Sequence, residues 1–288
     1  MRSLTSLPAS DIVELGRGCD SVAFLVDREW VFRFPAVPDA QATLQREIVL
    51  LPRLGPTLPL ATPAFEHIGQ SEGALLFVGY RLVRGAPLSV ECFDGLQRDA
   101  QETALATLAD FLRALHAFPL AAARRAGVRE EREKGGYNRR QRHLHQHLGS
   151  VLSDAEIARL DGVFERYESD HAPHNVTPVL LHSDLKPDHV MYDTAAEKLT
   201  GVLDWGDVSI GDPDFDLAVI SMFFSETFLL RLLTHLPDRD PAVVLAKTRF
   251  FTTLRWVQDL AYDVRRGDDN DAASSLRHLR DHMQACEP

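Results

Sequence analysis

Apolar and polar residues alternate along 11–34, DIVELGRGCDSVAFLVDREWVFRF, through two β-rich runs with VDRE between them. Successive side chains of a strand face opposite sides of its sheet, so the pattern predicts a glycine-bearing β-hairpin. Along DAQATLQREIVLLPRL, 39–54, apolar residues recur at helical spacing and stop at Gly55 and Pro56, which predicts a helix ended by those two residues. GALLFVGYRLV at 73–83 reads as a further strand. Beyond residue 98 the period becomes helical: DAQETALATLADFLRALHAF carries a clear apolar face, as do 153–168 and 241–263. The order of elements therefore predicts an α+β chain, with a small sheet and one helix in the first ninety residues and a larger, mainly helical part from 98 onward.

Composition adds limits. The chain has 288 residues, of which 45% are hydrophobic, enough for a sizeable core. No run of 18 apolar residues is present, and MRSLTSLPASDIVEL lacks the basic start and apolar core of an export signal, so a cytoplasmic protein with no membrane partner is expected. Cys19, Cys92 and Cys286 are odd in number and far apart, which indicates neither a disulfide framework nor a zinc site. The formal charge of -11 argues against nucleic acid as a partner, because phosphate contacts need a basic surface. Residues 179–288 hold 19 acids against 11 bases, a bias that would attract a cationic small molecule if it lies around a site.

The densest chemistry lies in LHSDLKPDHVMYD, 181–193. The apolar VMY, the turn-like DTAAEK and LTGVL predict a second hairpin, ending at DWGD, 204–207. A hairpin returns the chain to its starting end, so Asp184 and His189 are expected near Asp204. Two carboxylates and one imidazole form a set able to ligate a divalent metal while one carboxylate serves as a base. His143 and His147 have i, i+4 spacing but no accompanying general-base acid, and read as part of a surface segment rather than a metal site.

HSDLKPDH followed by DWGD resembles the catalytic loop and metal-binding turn of the protein-kinase-like fold, whose template is H-R-D-x-x-x-x-N and then D-F-G. More narrowly, LHSDLKPDHVMYD, GVLDWGDVSIGDPDFDLA and LGRGCDSVAFLVDREWVFRFP resemble the aminoglycoside phosphotransferase family, over about residues 11–265. The resemblance implies a two-lobed kinase-like fold, with the nucleotide-binding lobe in 1–83 and the catalytic loop and acceptor-binding helices in 84–288. It implies Asp184 as the catalytic base or orienting residue, and Mg²⁺ held by His189 and Asp204. It also places Gly16, Gly18 and Ser21 at a phosphate-facing turn, Arg33 with Glu47 as the phosphate-binding cation and its helix partner, and the backbone around Tyr80 to Leu82 at the nucleobase. The donor is ATP or GTP. Lys186 either contacts the transferred phosphate or projects into solvent.

His182, Asp212 and Asp216 are expected to support the catalytic loop, the two acids by capping a helix and accepting backbone N–H groups. Asp207, Glu226, Trp256, Asp259 and Asp263, with Tyr262, are candidates for an acceptor pocket. Asp259 and Asp263 stand four apart on a helix, where like charges repel unless a cation separates them; a solvated helix face with Trp256 in the core is the other reading. The activity implied is transfer of a γ-phosphate to a hydroxyl of a cationic, aminoglycoside-like acceptor by a monomeric enzyme. A kinase for a macrolide, sugar or amino alcohol is the alternative within the same chemistry. A silent nucleotide-binding regulatory module is the alternative outside it, because Arg33 stands for lysine and His189 for asparagine.

Overall fold

Asp27 and Arg28 both adopt the left-handed backbone conformation, with φ of 51° and 57°, and reverse the chain between β2 (Ser21–Val26) and β3 (Trp30–Pro35). The computed structural model describes residues 10–17, 21–71, 74–130, 148–170, 176–267 and 269–285. Gly18, Cys19, Cys286, His143 and His147 fall outside them. β1 (Ile12–Arg17) precedes β2, so the stretch read as two runs contains three strands. Together with β4 (Phe65–Ser71) and β5 (Ala74–Arg81) they form an antiparallel sheet in the order β1-β2-β3-β5-β4. The mixed α+β architecture is the one expected.

By contact the chain divides into two compact units: residues 1–128 with 184–208, and residues 129–183 with 209–288. In the first, the helix Pro38–Leu54 begins with proline at a position where its missing N–H costs nothing and with Asp39 in its first turn. Its buried stripe runs Ala40, Leu44, Glu47, Leu51, Leu54, at alternating spacings of about four and three residues, so Glu47 shares the apolar face. Leu44 packs with Leu75 and Val78 of the sheet. Val26, Trp30, Phe32 and Phe77 form another cluster on the strands.

The same unit contains β6 (Ala86–Pro87), β8 (Val190–Asp193) and β9 (Lys198–Val202), paired in the order β6-β8-β9. The second predicted hairpin is thus β8 and β9. Gly201 permits a close crossing: a Cβ there would stand 2.4 Å from Val83 Cγ1 and 2.8 Å from the Ala61 carbonyl. Around that glycine, Ala61 N–H donates to Thr200 O at 3.0 Å and Val202 N–H donates to Ala61 O at 2.9 Å. The hairpin is thereby tied to the segment that leads into β4.

The second unit is built on the helices Asp154–Asp170, Asp214–Phe223, Glu226–Leu233, Pro241–Arg266 and Asp269–Ala285. The helices Asp154–Asp170, Asp214–Phe223, Pro241–Arg266 and Asp269–Ala285 share a core that includes Leu160, Phe164, Phe215, Val219, Phe251, Leu254 and Leu279. Tyr167 and Phe250 stack with centroids 3.6 Å apart. Two short strands, β7 (Val179–Leu181) and β10 (Ser209–Gly211), pair antiparallel beside it. No helix among the described residues is long and apolar enough to cross a membrane.

Candidate active site

The loop after β7 starts with an unusual backbone. Ser183 has φ of 69°, which a non-glycine residue adopts only when its surroundings hold it. Asp216, fully buried in the first turn of Asp214–Phe223, supplies part of that hold. Its carboxylate accepts the Ser183 N–H at 2.8 Å and the His182 N–H at 3.2 Å. The hydroxyls of Ser183 and Ser209 lie 2.7 Å apart. Asp184 is next in the chain and is itself buried.

Beyond Asp184 the loop closes on itself. Lys186 N–H donates to Asp184 O at 3.0 Å and His189 N–H donates to Lys186 O at 3.0 Å, forming the short turn Pro187–His189 before β8. Lys186 Nζ lies 3.1 Å from Asp184 Oδ2. The imidazole of His189 stands between two carboxylates: its Nδ1 is 3.4 Å from Asp184 Oδ2, and its Nε2 is 3.4 Å from Asp204 Oδ2. Nδ1 is also 2.8 Å from the Asp184 main-chain oxygen, which can only accept. Nδ1 therefore carries a proton. In the neutral ring this leaves the Nε2 lone pair directed towards Asp204.

Asp204 is held after β9 by the hairpin's closure and by its neighbour. Leu203 N–H donates to His189 O at 2.8 Å, joining the end of the hairpin to its beginning. Asp204 has φ of 58°, and its carboxylate is about half exposed, at 49%. Trp205, wholly buried, donates its indole N–H to Val202 O at 3.1 Å and meets Phe111 edge-on. At Gly206 an added Cβ would lie 3.2 Å from Thr43 Cγ2 and 3.4 Å from Asp204 Oδ1, so the turn passes close to the Pro38–Leu54 helix.

From β3, Arg33 Nη1 reaches Glu47 Oε2 at 3.2 Å. The other Glu47 oxygen, also buried, has no hydrogen-bond partner among the described residues. Burial pushes the Glu47 carboxyl above its ordinary range and Arg33 only partly counteracts it. For Arg33, burial acts against the charge, but Glu47, Tyr80 and Asp204 outweigh it and raise its affinity for the proton. Burial lifts the Tyr80 hydroxyl to about 12. Arg33, Glu47, Tyr80 and Asp204 thus form one electrostatically linked group. Gly16 lies in β1 and Ser21 opens β2. The backbone of Tyr80 is flanked by β3 and β4, while the Leu82 N–H donates to Glu29 O at 2.8 Å.

The expected acceptor residues have separate surroundings. Asp207 and Glu226 are exposed. Asp259 pairs with Arg255 at 3.2 Å, one helical turn earlier, and Asp263 accepts the Ser275 hydroxyl at 2.7 Å. The Trp256 ring is 4.5 Å from that of His278 and tilts towards Phe223. The two acids are therefore not left facing each other: each has its own partner.

The phosphotransferase enzyme family model matches residues 11–251. The chain belongs to that family. The viomycin phosphotransferase of Streptomyces vinaceus is 31% identical over 136 residues, covering 46% of this chain and 43% of that relative, less than half its length. The structure of a wild-type aminoglycoside 2'-phosphotransferase-IIIa with GDP superposes with a TM-score of 0.91 at 29% identity, over 99% of this chain and 96% of the other. The GDP and kanamycin complex of APH(2")-IIia gives 0.91 at 29%, over 98% and 95%.

In this family member, one group near the loop was not anticipated from the sequence. Lys247 Nζ lies 2.8 Å from Asp212 Oδ2 and 2.8 Å from Asp214 Oδ2, and Arg239 Nη1 lies 3.3 Å from Asp214 Oδ1. Asp212 Oδ1 accepts the Asp214 N–H at 3.0 Å. A signal existed: Val244, Lys247, Phe251 and Leu254 occupy one buried stripe of the Pro241–Arg266 helix, so a lysine stands where an apolar residue belongs. Three acids within DPDFD would have to share the cations that such a stripe provides.

Proposed function

We propose that the protein transfers the γ-phosphate of ATP or GTP to a hydroxyl of a cationic small molecule of the aminoglycoside class. The observation that carries this reading is the convergence of Asp184, His189 and Asp204 at one end of a hairpin. Membership of the phosphotransferase family supports it, as do relatives whose structures contain GDP and kanamycin. Phosphoryl transfer depends mainly on positioning and on neutralising charge. In this reading Asp184, held by the loop on both sides, accepts a hydrogen bond from the attacking hydroxyl and orients it. Lys186 and Arg33 face the phosphates with positive charge. The excess of acids over bases in residues 179–288, 19 against 11, favours a cationic acceptor.

The residues present fit Mg²⁺. No set of three or more acidic, histidine or cysteine side chains that could hold a metal occurs among the described residues. Mg²⁺ characteristically takes only one or two protein ligands and completes its shell with water and phosphate oxygens. His189, through Nε2, and Asp204, through its exposed carboxylate, would hold it. When bound, the ion neutralises charge on the phosphates.

The test is steady-state phosphate transfer by the purified protein with Mg²⁺ and either ATP or GTP, against aminoglycosides, macrolides and neutral amino sugars. The expected outcome is transfer to polycationic acceptors with a KM that rises with ionic strength, as screening weakens their attraction. Transfer confined to neutral acceptors, or independent of salt, would reject the cationic acceptor.

A further inference from the structure

We propose that Lys247 is a positioning residue for phosphate transfer: it grips Asp212 and Asp214 and so fixes the helix end from which Asp216 holds the catalytic loop. The proposal rests on the role assigned to Asp184 above. The connections form a short chain. Lys247, with a side chain only 10% exposed, lies 2.8 Å from each of two carboxylates that are themselves 9% and 5% exposed. Asp212 and Asp214 flank the start of the Asp214–Phe223 helix, and Phe215 N–H donates to Asp212 O at 2.9 Å. One residue further, Asp216 binds the N–H groups of both His182 and Ser183. Those two residues precede Asp184.

Chemistry explains why a cation is needed there. Asp212, Asp214 and Asp216 lie within five residues, in a setting that desolvates them, and without compensation they would repel one another. Arg239 lies 3.3 Å from Asp214 and 3.7 Å from Asp238, whereas Lys247 bridges Asp212 and Asp214. Burial alone would lower the affinity of Lys247 for its proton, but hydrogen bonds and charge from both aspartates raise it, so the bridge stays charged. A bridged pair can fix a direction that a single ion pair leaves free, because two bonds from one nitrogen define the separation of the two carboxylates. The left-handed backbone at Ser183 makes that fixation matter: the conformation is costly and persists only while its N–H is held.

Lys247→Gln and Lys247→Arg separate positioning from general stability. Three quantities are measured for each: nucleotide affinity, kcat with a productive acceptor, and amide hydrogen exchange in the peptide containing residues 179–184. The expected result for Lys247→Gln is a tenfold to hundredfold fall in kcat, nucleotide affinity within twofold of the parent, and faster exchange confined to 179–184. Lys247→Arg, which retains the charge, recovers most of the rate. If Lys247→Gln does not fold, Asp212→Asn removes one limb of the bridge and leaves Lys247 on Asp214; the same local exchange increase with a threefold to tenfold loss in kcat is then expected. Unchanged exchange at 179–184 in a folded variant overturns the proposal, as does uniformly faster exchange across the chain. A parent protein that transfers phosphate to no acceptor defeats the functional reading instead, and the exchange measurement still decides whether Lys247 controls the loop.

Discussion

The Nδ1 of His189 lies 2.8 Å from the main-chain oxygen of Asp184, five residues before it, and this contact fixes which ring nitrogen can act as a ligand. Nε2 lies 3.4 Å from Asp204 Oδ2. Replacing His189 with phenylalanine fills most of the space but removes both nitrogens. Binding of Mn²⁺, used as a probe with nucleotide and followed by electron paramagnetic resonance, is expected to weaken by at least about tenfold. Unchanged Mn²⁺ affinity would remove His189 from the metal site.

Arg33 and Glu47 form a buried pair whose loss should register in stability before any effect on catalysis. Glu47→Ala leaves the Arg33 charge without its partner in a desolvated place, and is expected to cost about 3–5 kcal/mol in urea unfolding. Adding Arg33→Met should restore part of the loss. If the double variant is no more stable than Glu47→Ala, the penalty does not arise from the stranded arginine.

Trp205 anchors the turn that presents Asp204. Trp205→Ala removes a fully buried indole and its hydrogen bond to Val202, with an expected loss of about 3–5 kcal/mol. Trp205→Phe should retain much of the contact with Phe111 and cost less. Equilibrium unfolding of both variants checks the order.

One stabilising charge pair has a defined pH window. Hydrogen bonds from Arg280 and Ser153 hold the Glu156 carboxyl down at about 2, against an ordinary value of 4.5. A depressed carboxylate stabilises the folded state fully above its unfolded value, and that contribution is lost as pH falls towards its folded value. Arg280→Gln is therefore expected to lower the Tm by a constant amount above about pH 5, with the difference from the parent shrinking as pH falls from 4.5 towards 2. Thermal melts across that range test the sign directly. A difference that grows with acidity would contradict it.

The sequence made the centre of the site legible because its residues lie close along the chain. Asp184, His189 and Asp204 flank a single hairpin, and hairpins bring their ends together whatever surrounds them. Glu47 is placed by the family resemblance alone, and the structure brings its carboxylate to 3.2 Å from Arg33. Strands β7 and β10, of three residues each, are too short to show a period, and their pairing decides where Ser209 meets Ser183. Lys247 interrupts an apolar helical stripe, which is a local sign of burial, but it lies more than thirty residues beyond the acids it grips, so the sequence does not show which partners it takes. For Asp259 the relevant signal was local: Arg255 lies one turn away, and a cation at that spacing settles an acid's partner. Ser275, on the next helix, gave no such signal for Asp263.

The central claim is that Asp184 orients the acceptor hydroxyl, and a single substitution tests it. Asp184→Asn keeps the size of the side chain and removes its negative charge. With acceptor and nucleotide saturating, single-turnover phosphate transfer should fall by about a hundredfold to ten-thousandfold, while nucleotide affinity stays within a few-fold of the parent. Transfer at the parental rate, with nucleotide bound normally, would contradict the assignment of Asp184 and the mechanism built on it.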